Sequence, residues 1–166
     1  MPELTQKERL QPALLDRLTD DEPDQREESR DKRVLSLRRL RELVLRDMTW
    51  LLNTGSLDSA LDLENYPEVA RSVLNYGMRD LSGVVISGVD LPAIERRIKQ
   101  AILDFEPRIL PHSLKVQVTA SEHMSSNAMV FAIEGELWAQ PLPIHLYIKT
   151  EIDLETGTVD LRDVGG

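Results

Sequence analysis

The tripeptide Glu106-Pro107-Arg108 places a carboxylate and a guanidinium on either side of a proline. Proline fixes its own φ angle, so the backbone between these two opposite charges has little conformational freedom. Such a pair can offer a rigid, bidentate contact to a partner protein. In that case we expect Arg108 to be exposed, so that Arg108→Ala would leave the protein folded. Alternatively, Glu106 and Arg108 satisfy the end of the preceding helix and nearby backbone groups. The residues alone leave both interpretations open.

Carboxylates also raise the question of glycoside hydrolysis. Glycosidases need two carboxyl groups roughly 5–9.5 Å apart, one of them with a raised pKa. With 29 acidic residues a pair is easy to find, and Glu134 and Glu136 share one face of a predicted strand. Nothing in the sequence marks a cleft around them or around Glu106, and a solvated strand face explains Glu134 and Glu136 better. We predict no catalytic residues and keep a peptidoglycan-cleaving glycosidase as the alternative.

The three histidines do not indicate a metal site. His112, His123 and His145 lie in separate segments, without the short helical spacing of zinc ligands. A glycine-rich phosphate loop, a nucleophile elbow and a dinucleotide fingerprint are all missing from the sequence. We therefore predict no metal and no cofactor.

Basic residues are concentrated in one segment of an acidic chain. The net charge of −9 opposes general binding to nucleic acid or anionic membranes. Seven basic residues nevertheless lie between positions 30 and 46, and they are Arg30, Lys32, Arg33, Arg38, Arg39, Arg41 and Arg46. Interface cores favour arginine over lysine, which suits a protein partner. Aromatic residues make up only 4% of the chain, which counts against nucleic-acid binding. We predict that Arg38 and Arg41 contact an acidic protein partner, with phosphate binding as the less favoured interpretation.

No segment predicts export or membrane insertion. The first nine residues are charged and lack an apolar core. No run approaches the roughly 18 apolar residues of a membrane-spanning helix. The chain has no cysteine, which excludes disulfides and fits a reducing compartment. We expect a cytoplasmic protein.

The chain is predicted to divide at about residue 30. Residues 1–30 combine the apolar cluster Leu14, Leu15 and Leu18 with an acidic, proline-containing stretch. A segment this polar cannot offset its ordering entropy, roughly 1–2 kcal/mol per residue, unless another surface receives the leucines. We predict a flexible docking segment and linker, with a frayed terminus as the alternative, followed by one domain over 31–166.

Two helical segments are predicted in the first half of this domain. From 33 to 53 apolar residues recur at intervals of three and four, and Asn53-Thr54-Gly55 ends the helix. The stripe comprises Leu37, Leu40, Val44, Met48 and Leu51. A second helical piece is predicted over 67–76, with Pro67 in its first turn and Gly77 as its stop.

A third helix leads directly into the Glu-Pro-Arg tripeptide. Asp90 is its predicted N-cap, Pro92 is tolerated in its first turn, and it should end near Glu106 because Pro107 disfavours helical geometry before it. The predicted buried stripe comprises Leu91, Ile94, Ile98, Ile102 and Phe105.

The second half of the chain has the period of strands. Alternation over 114–119 predicts one strand, and apolar residues over 129–139 and 144–154 predict two more. Residues 155–158 then read as a hairpin turn into a last strand over 159–162. Helices first and consecutive strands afterwards predict an α+β fold with an antiparallel sheet.

The junction over 102–109 resembles the Glu-Pro-Arg motif of the phage gene 25-like lysozyme domain family. Other segments agree with this family in their order: a Leu-Leu-Asp-Arg-Leu cluster over 14–18, an acidic linker, and a basic helix with Trp50 near its end. Gly77 and the stretch 80–83 then precede the motif helix. The resemblance covers nearly the whole chain.

The resemblance implies a structural, non-enzymatic role despite the family's name. Its members in type VI secretion systems, called TssE, lie in the baseplate wedge beside TssF, TssG and TssK and help to start the sheath formed by TssB and TssC. On this basis we hypothesise that the Glu106-Pro107-Arg108 corner and the leucine cluster dock into the wedge while the sheet contacts the sheath. An unpaired sheet edge suits strand addition by a partner. A phage-tail baseplate protein is the alternative.

Overall fold

A computed structural model describes residues 13–19, 24, 36–79, 90–120, 128–139, 143–154 and 157–164. The helices are α1 (Leu14–Leu18), α2 (Leu37–Leu52), α3 (Pro67–Ala70) and α4 (Leu91–Phe105), with 3₁₀ turns at Leu57–Ser59 and Val73–Asn75. The strands are β1 (Lys115–Ala120), β2 (Ala128–Leu137), β3 (Ile144–Asp153) and β4 (Val159–Asp163). The described strands all follow the helices, which confirms the predicted α+β fold.

Short polar side chains set the starts of the two long helices. Ser36 caps α2 by accepting a hydrogen bond from the Arg39 amide at 3.1 Å. Asp90 caps α4 as predicted, with 3.2 Å between its Oδ1 and the Ala93 amide. The helix α4 ends where Pro107 was expected to stop it, at Phe105.

The prediction of one helix over 67–76 was wrong. The segment forms the short helix α3 and then a separate 3₁₀ turn. The Ser72 hydroxyl bonds the Val69 carbonyl and accepts from the Leu74 amide, and the Asn75 amide group donates to the Ala70 carbonyl at 2.8 Å. Such side chains compete with backbone pairing and break the helix.

The four strands form an antiparallel meander in the order β1-β2-β3-β4. Odd-numbered residues of β2, such as Phe131 and Ile133, are fully buried beneath α2 and α4, and the alternate residues lie on the other face. The helix α4 lies over β1 and α2 lies over β4. The helices contribute Leu40, Val44, Met48, Leu51, Ile94, Ile98 and Ile102 to this core. Leu37, expected in the stripe, is instead 50% exposed in the first turn of α2.

Side chains from the helices reach both outer strands of the sheet. Glu95 of α4 accepts a hydrogen bond from the Val118 amide of β1 at 2.9 Å. Asn53 bonds both the amide and the carbonyl of Val159 in β4, each at 2.9 Å, as a neighbouring strand would. Each contact occupies part of an edge that would otherwise be available for pairing.

Some predicted features lie outside the described residues. They are most of the linker, the basic residues Arg30, Lys32 and Arg33, the stretch 80–83, His123 and the turn residues 155–156. Within the described ranges, no helix has the length and apolar character needed to cross a bilayer.

A tight crossing joins the end of α2 to the segment before α4. Gly55 and Met78 form a parallel bridge, and the Met78 amide donates to the Thr54 carbonyl at 2.8 Å. Gly77 enters this crossing with φ of 125°, and a Cβ there would lie 2.3 Å from the Thr54 oxygen. Glycine is therefore required at 77 by both backbone angle and space.

We expect Gly77→Ala to lower the free energy of unfolding by about 1–3 kcal/mol, because it strains the backbone and drives a methyl group into Thr54. Gly55→Ala is the matched control, since nothing lies within 4 Å of its added Cβ. Urea unfolding of both variants measures the difference. Equal stabilities of the two variants would contradict this account of the crossing.

Candidate partner-binding site

The Glu106-Pro107-Arg108 corner is fastened to the end of β2. Ile109 forms an antiparallel bridge with Leu137, and the Trp138 amide donates to the Arg108 carbonyl at 2.7 Å. Gly135 leaves room for this approach, since a Cβ at that position would lie 3.1 Å from the Ile109 side chain. The corner is thus held at a fixed position by the helix before it and the strand beside it.

Glu106 and Arg108 form a bidentate ion pair within the corner. The Arg108 Nε donates to Glu106 Oε1 at 2.7 Å and its Nη2 donates to Oε2 at 2.5 Å. The Arg108 amide also donates to Glu106 Oε1 at 3.1 Å. The Glu106 side chain is only 4% exposed and that of Arg108 is 22% exposed. Arg108 is therefore not the exposed cation expected from the sequence, because it neutralises a buried carboxylate.

The corner is joined to α2 by Asp47. Its Oδ2 accepts from Arg108 Nη2 at 2.5 Å, while its Oδ1 accepts from both Nε and Nη2 of the preceding Arg46. The carboxylate thus bridges two guanidinium groups, one from α2 and one from the corner. Charged hydrogen bonds of this kind are stronger than neutral ones and fix geometry.

Arg46 continues the network to the N-terminal helix α1. Its Nη2 donates to Asp16 Oδ1 at 2.7 Å, and its guanidinium carbon lies 4.8 Å from the centre of the Trp50 ring. A cation over an aromatic face gains a further attraction. Five side chains therefore alternate in charge across three parts of the chain, and we call them the charge network: Asp16, Arg46, Asp47, Arg108 and Glu106.

The surroundings of Arg108 keep it charged. Burial by itself lowers the pKa of the Arg108 guanidinium, but hydrogen bonding and attraction from Glu106, and then from Asp47, outweigh it and raise this pKa above its usual value. Nearby, burial first and then the charges of Asp47 and Glu106 raise the pKa of the Tyr76 phenol. Tyr76 packs edge-on against Phe105 with the ring centres 5.3 Å apart. The network is thus flanked by a neutral aromatic pair.

The leucine cluster is exposed on α1. Leu14, Leu15 and Leu18 are 70%, 49% and 74% exposed, and α1 buries none of its residues. The Asp16 side chain is 7% exposed, and its Oδ2 is buried without a hydrogen-bond partner among the described residues. A buried oxygen without a hydrogen-bond partner costs about 1–3 kcal/mol. This cost at Asp16 Oδ2 offsets part of the stabilisation that the ion pair between Asp16 Oδ1 and Arg46 provides. The ion pair to Arg46 nevertheless holds α1 on α2, and the helix presents its leucines outward.

The two arginines predicted at the basic surface lie elsewhere on α2. Arg38 is 90% exposed in its side chain and pairs with Glu42, and with Arg39 it lowers the pKa of that carboxyl. Arg41 instead turns toward the sheet, where its Nη2 donates to the His145 carbonyl at 3.0 Å. Arg38 precedes Arg46 by eight residues, or about 12 Å along the helix axis. The structure does not bring Arg38 and Arg41 to the corner, and their role in binding a partner stays a prediction.

The carboxylates considered for catalysis are engaged in ways that do not suit an acid catalyst. Both oxygens of Glu106 accept hydrogen bonds from Arg108. Glu134 lies on the outer face of β2, where His145 and then Lys115 lower its pKa. A general acid of a glycosidase needs a raised pKa instead. Among the residues described, no group of three or more histidine, aspartate or glutamate side chains could hold a metal ion.

Sequence reasoning missed Asp47 and the role of Arg46. Asp47 lies three residues after Val44 and four before Leu51, within the spacing of the buried stripe. A carboxylate at such a position needs a cation as partner, which could have prompted a search for one. Which cation it pairs with depends on the tertiary structure, because Arg108 is 61 residues away in the chain.

We expect Arg108→Ala to lower the free energy of unfolding by about 2–4 kcal/mol, since it leaves the buried Glu106 carboxylate without a cation. The matched control is Arg38→Ala, which removes an exposed arginine and should change stability by less than about 0.5 kcal/mol. Chemical denaturation of the purified variants measures both. A loss for Arg108→Ala as small as that of the control would show that the network does not stabilise the fold.

Comparison with known proteins gives a family for the chain. The model of a family described as baseplate wedge protein gp25 matches residues 38–142. This span contains α2 from its second residue onward, α3, α4, β1 and β2, and so includes Arg46, Asp47 and the whole corner, whereas α1 lies before it. A search of curated proteins gave no match. Because the match covers more than half of the sequence, the chain belongs to the baseplate wedge protein gp25 family.

Proposed function

We propose that this protein is a non-enzymatic structural component of the baseplate wedge in a type VI secretion system, comparable to TssE. In this role it contacts the wedge subunits TssF, TssG and TssK and helps to start assembly of the sheath made by TssB and TssC. Membership of the gp25 family supports a baseplate role. The secretion system and the partners are proposed from the resemblance of the motifs, with the cytoplasm as the location of the assembly.

The charge network is the observation that carries the proposal. It joins the Glu-Pro-Arg corner to the exposed leucine helix α1 through Arg46 and Asp47. Two segments far apart in sequence are thereby presented as parts of one surface. A preorganised surface of this kind suits a protein that holds other subunits at fixed positions, because less ordering is needed on binding.

Each residue of this surface has a distinct role in the proposal. Leu14, Leu15 and Leu18 supply apolar area that a wedge subunit covers. Pro107 is exposed at the corner and Arg108 is partly exposed beside it, so both can contact a partner. Glu106 is a positioning residue, because its buried carboxylate fixes the direction of Arg108.

The other predicted contacts lie on α2 and on the sheet. Arg38 is exposed enough to meet an acidic partner, while Arg41 would need to exchange its contact with the His145 carbonyl. For the sheath, we propose β4 as the edge that pairs with a partner strand. Glu95 occupies β1 in the middle of the strand, at Val118, whereas Asn53 meets β4 at its first residue.

A phage-tail baseplate is the second candidate, since the family description names a baseplate wedge protein without naming the machine. Both candidates predict the same kind of site. The identity of the proteins that bind separates them.

We expect the triple variant Leu14→Ser, Leu15→Ser, Leu18→Ser to fold normally and to lose its wedge partners, because these side chains are exposed in the isolated chain. The experiment is affinity capture of the tagged protein from cells that assemble the baseplate, with mass spectrometry of the bound proteins. Leu61→Ser is the control, since Leu61 is 56% exposed at another position. Melting temperatures of all variants check that folding is unchanged.

The outcomes separate the alternatives. Recovery of TssF, TssG and TssK with the wild type and with Leu61→Ser, but not with the triple variant, supports the proposal and this site. Full recovery of the wedge proteins with the triple variant would show that the leucines are not part of the binding site. Recovery of phage-tail proteins points to the second candidate, and peptidoglycan cleavage without baseplate proteins points to a glycosidase.

A further inference from the structure

A cavity of about 550 Å³ lies between α4 and the connection from Ser56 to Arg79. This volume is within the range of roughly 300–1,000 Å³ that is usual for binding clefts. Phe105 forms part of its wall and immediately precedes Glu106, so the cavity adjoins the corner without including it. We call it the arginine pocket, after Arg71, Arg79 and Arg97 in its lining.

The carboxylates of the arginine pocket already have donors within the protein. Asp104 is 10% exposed, with its Oδ1 3.5 Å from Arg71 Nε and its Oδ2 3.0 Å from the Gln100 amide nitrogen. Asp58 accepts a hydrogen bond from the Ser56 hydroxyl. These two negative charges are therefore engaged and do not call for a cationic ligand.

Two of the three arginines, unlike these carboxylates, have no partner within the described part of the protein. Arg79 and Arg97 are exposed, and within the described part of the chain neither forms a hydrogen bond or ion pair. The arginine pocket therefore carries uncommitted positive charge, although the whole chain has a net charge of −9. A local field of this sign attracts carboxylates.

The wall of the arginine pocket opposite α4 is preformed. The Asp58 amide donates to the Asn75 side chain at 2.9 Å, and the Ser56 amide donates to the Met78 carbonyl at 3.2 Å. Gly77 fixes the crossing with its positive φ. These contacts hold the connection although none of the residues in its short helices is buried, so its order does not depend on a core of its own. A ligand would meet a wall that needs little further ordering.

We propose that the arginine pocket binds an acidic segment of a partner protein, in which an aspartate or glutamate is flanked by apolar residues. Arg79 and Arg97 would hold the carboxylate, because guanidinium groups match its geometry. Ala70, Met78 and Phe105 supply apolar surface for the flanking side chains. That the partner is another baseplate subunit rests on the proposed function, whereas the acidic chemistry rests on the arginine pocket itself.

Photo-crosslinking in cells that assemble the baseplate tests this inference. The photoreactive residue p-benzoylphenylalanine replaces Gln100, which lines the arginine pocket, or replaces Lys99 next to it as the position control. The crosslinked peptide is identified by mass spectrometry. The charge variant Arg79→Glu, Arg97→Glu is compared with Arg96→Glu, since Arg96 is 72% exposed on the same helix and pairs with Asp90.

We expect the probe at position 100 to crosslink to an acidic segment of a baseplate protein. The yield should fall about tenfold or more in the double charge variant and stay unchanged in Arg96→Glu. A neutral or basic crosslinked segment, or a yield that survives the double charge reversal, would overturn the inference. A crosslink to residues 80–89 of the same chain would also overturn it, since the chain would then fill its own pocket. If affinity capture recovers wedge proteins but position 100 gives no crosslink, the arginine pocket is rejected while the baseplate function stands.

Discussion

The burial of the Glu106 carboxylate at the C-terminal end of α4 is the constraint on which the rest of the site depends. The end of a helix is the unfavourable place for a negative charge, and burial adds a desolvation cost. Arg108 meets this need with two side-chain hydrogen bonds and one from its backbone. Because Pro107 limits the backbone between them, the pair forms without a large loss of entropy. The direction in which the chain leaves α4 toward β2 is set by the same contacts.

Arg108 has a further N–H group that is not needed for the pair with Glu106. This group donates to Asp47 and so connects the corner to the helices. Asp47 ties it to α2, and Arg46 ties α2 to α1. A change at Arg108 is therefore expected to alter stability and the presentation of α1 together. Loss of assembly in an Arg108 variant would not by itself show that Arg108 touches a partner. The exposed leucines are the better probes of binding, since they can be changed without disturbing the network.

The sequence was sufficient for the parts of the fold that local patterns determine. Asp90, Pro92 and Pro107 marked the bounds of α4, and alternation in the second half marked the strands. The failures have physical reasons. Ser72 and Asn75 interrupt the predicted second helix through hydrogen bonds between their side chains and the backbone. Helix propensities and the position of Gly77 do not predict these hydrogen bonds.

The candidate site was predictable only in part. The motif pointed to the corner and the leucine spacing pointed to α1, but their connection runs through Asp47, whose partner lies far away in the chain. The prediction that Arg108 is exposed is wrong for the same reason, because the burial of Glu106 depends on the tertiary structure. Long-range charge pairing is not encoded in the periodicity of one segment.

A distance measurement tests whether the charge network fixes α1 relative to the body of the protein. The chain has no cysteine, so spin labels can be attached specifically through Arg17→Cys on α1 and Lys99→Cys on α4. Double electron–electron resonance should give one narrow distance distribution in this background and in the control Arg38→Ala. It should give a broad distribution when Arg46→Ala removes the ion pair to Asp16. A distribution that is equally narrow without Arg46, or broad already with the network intact, would contradict the account.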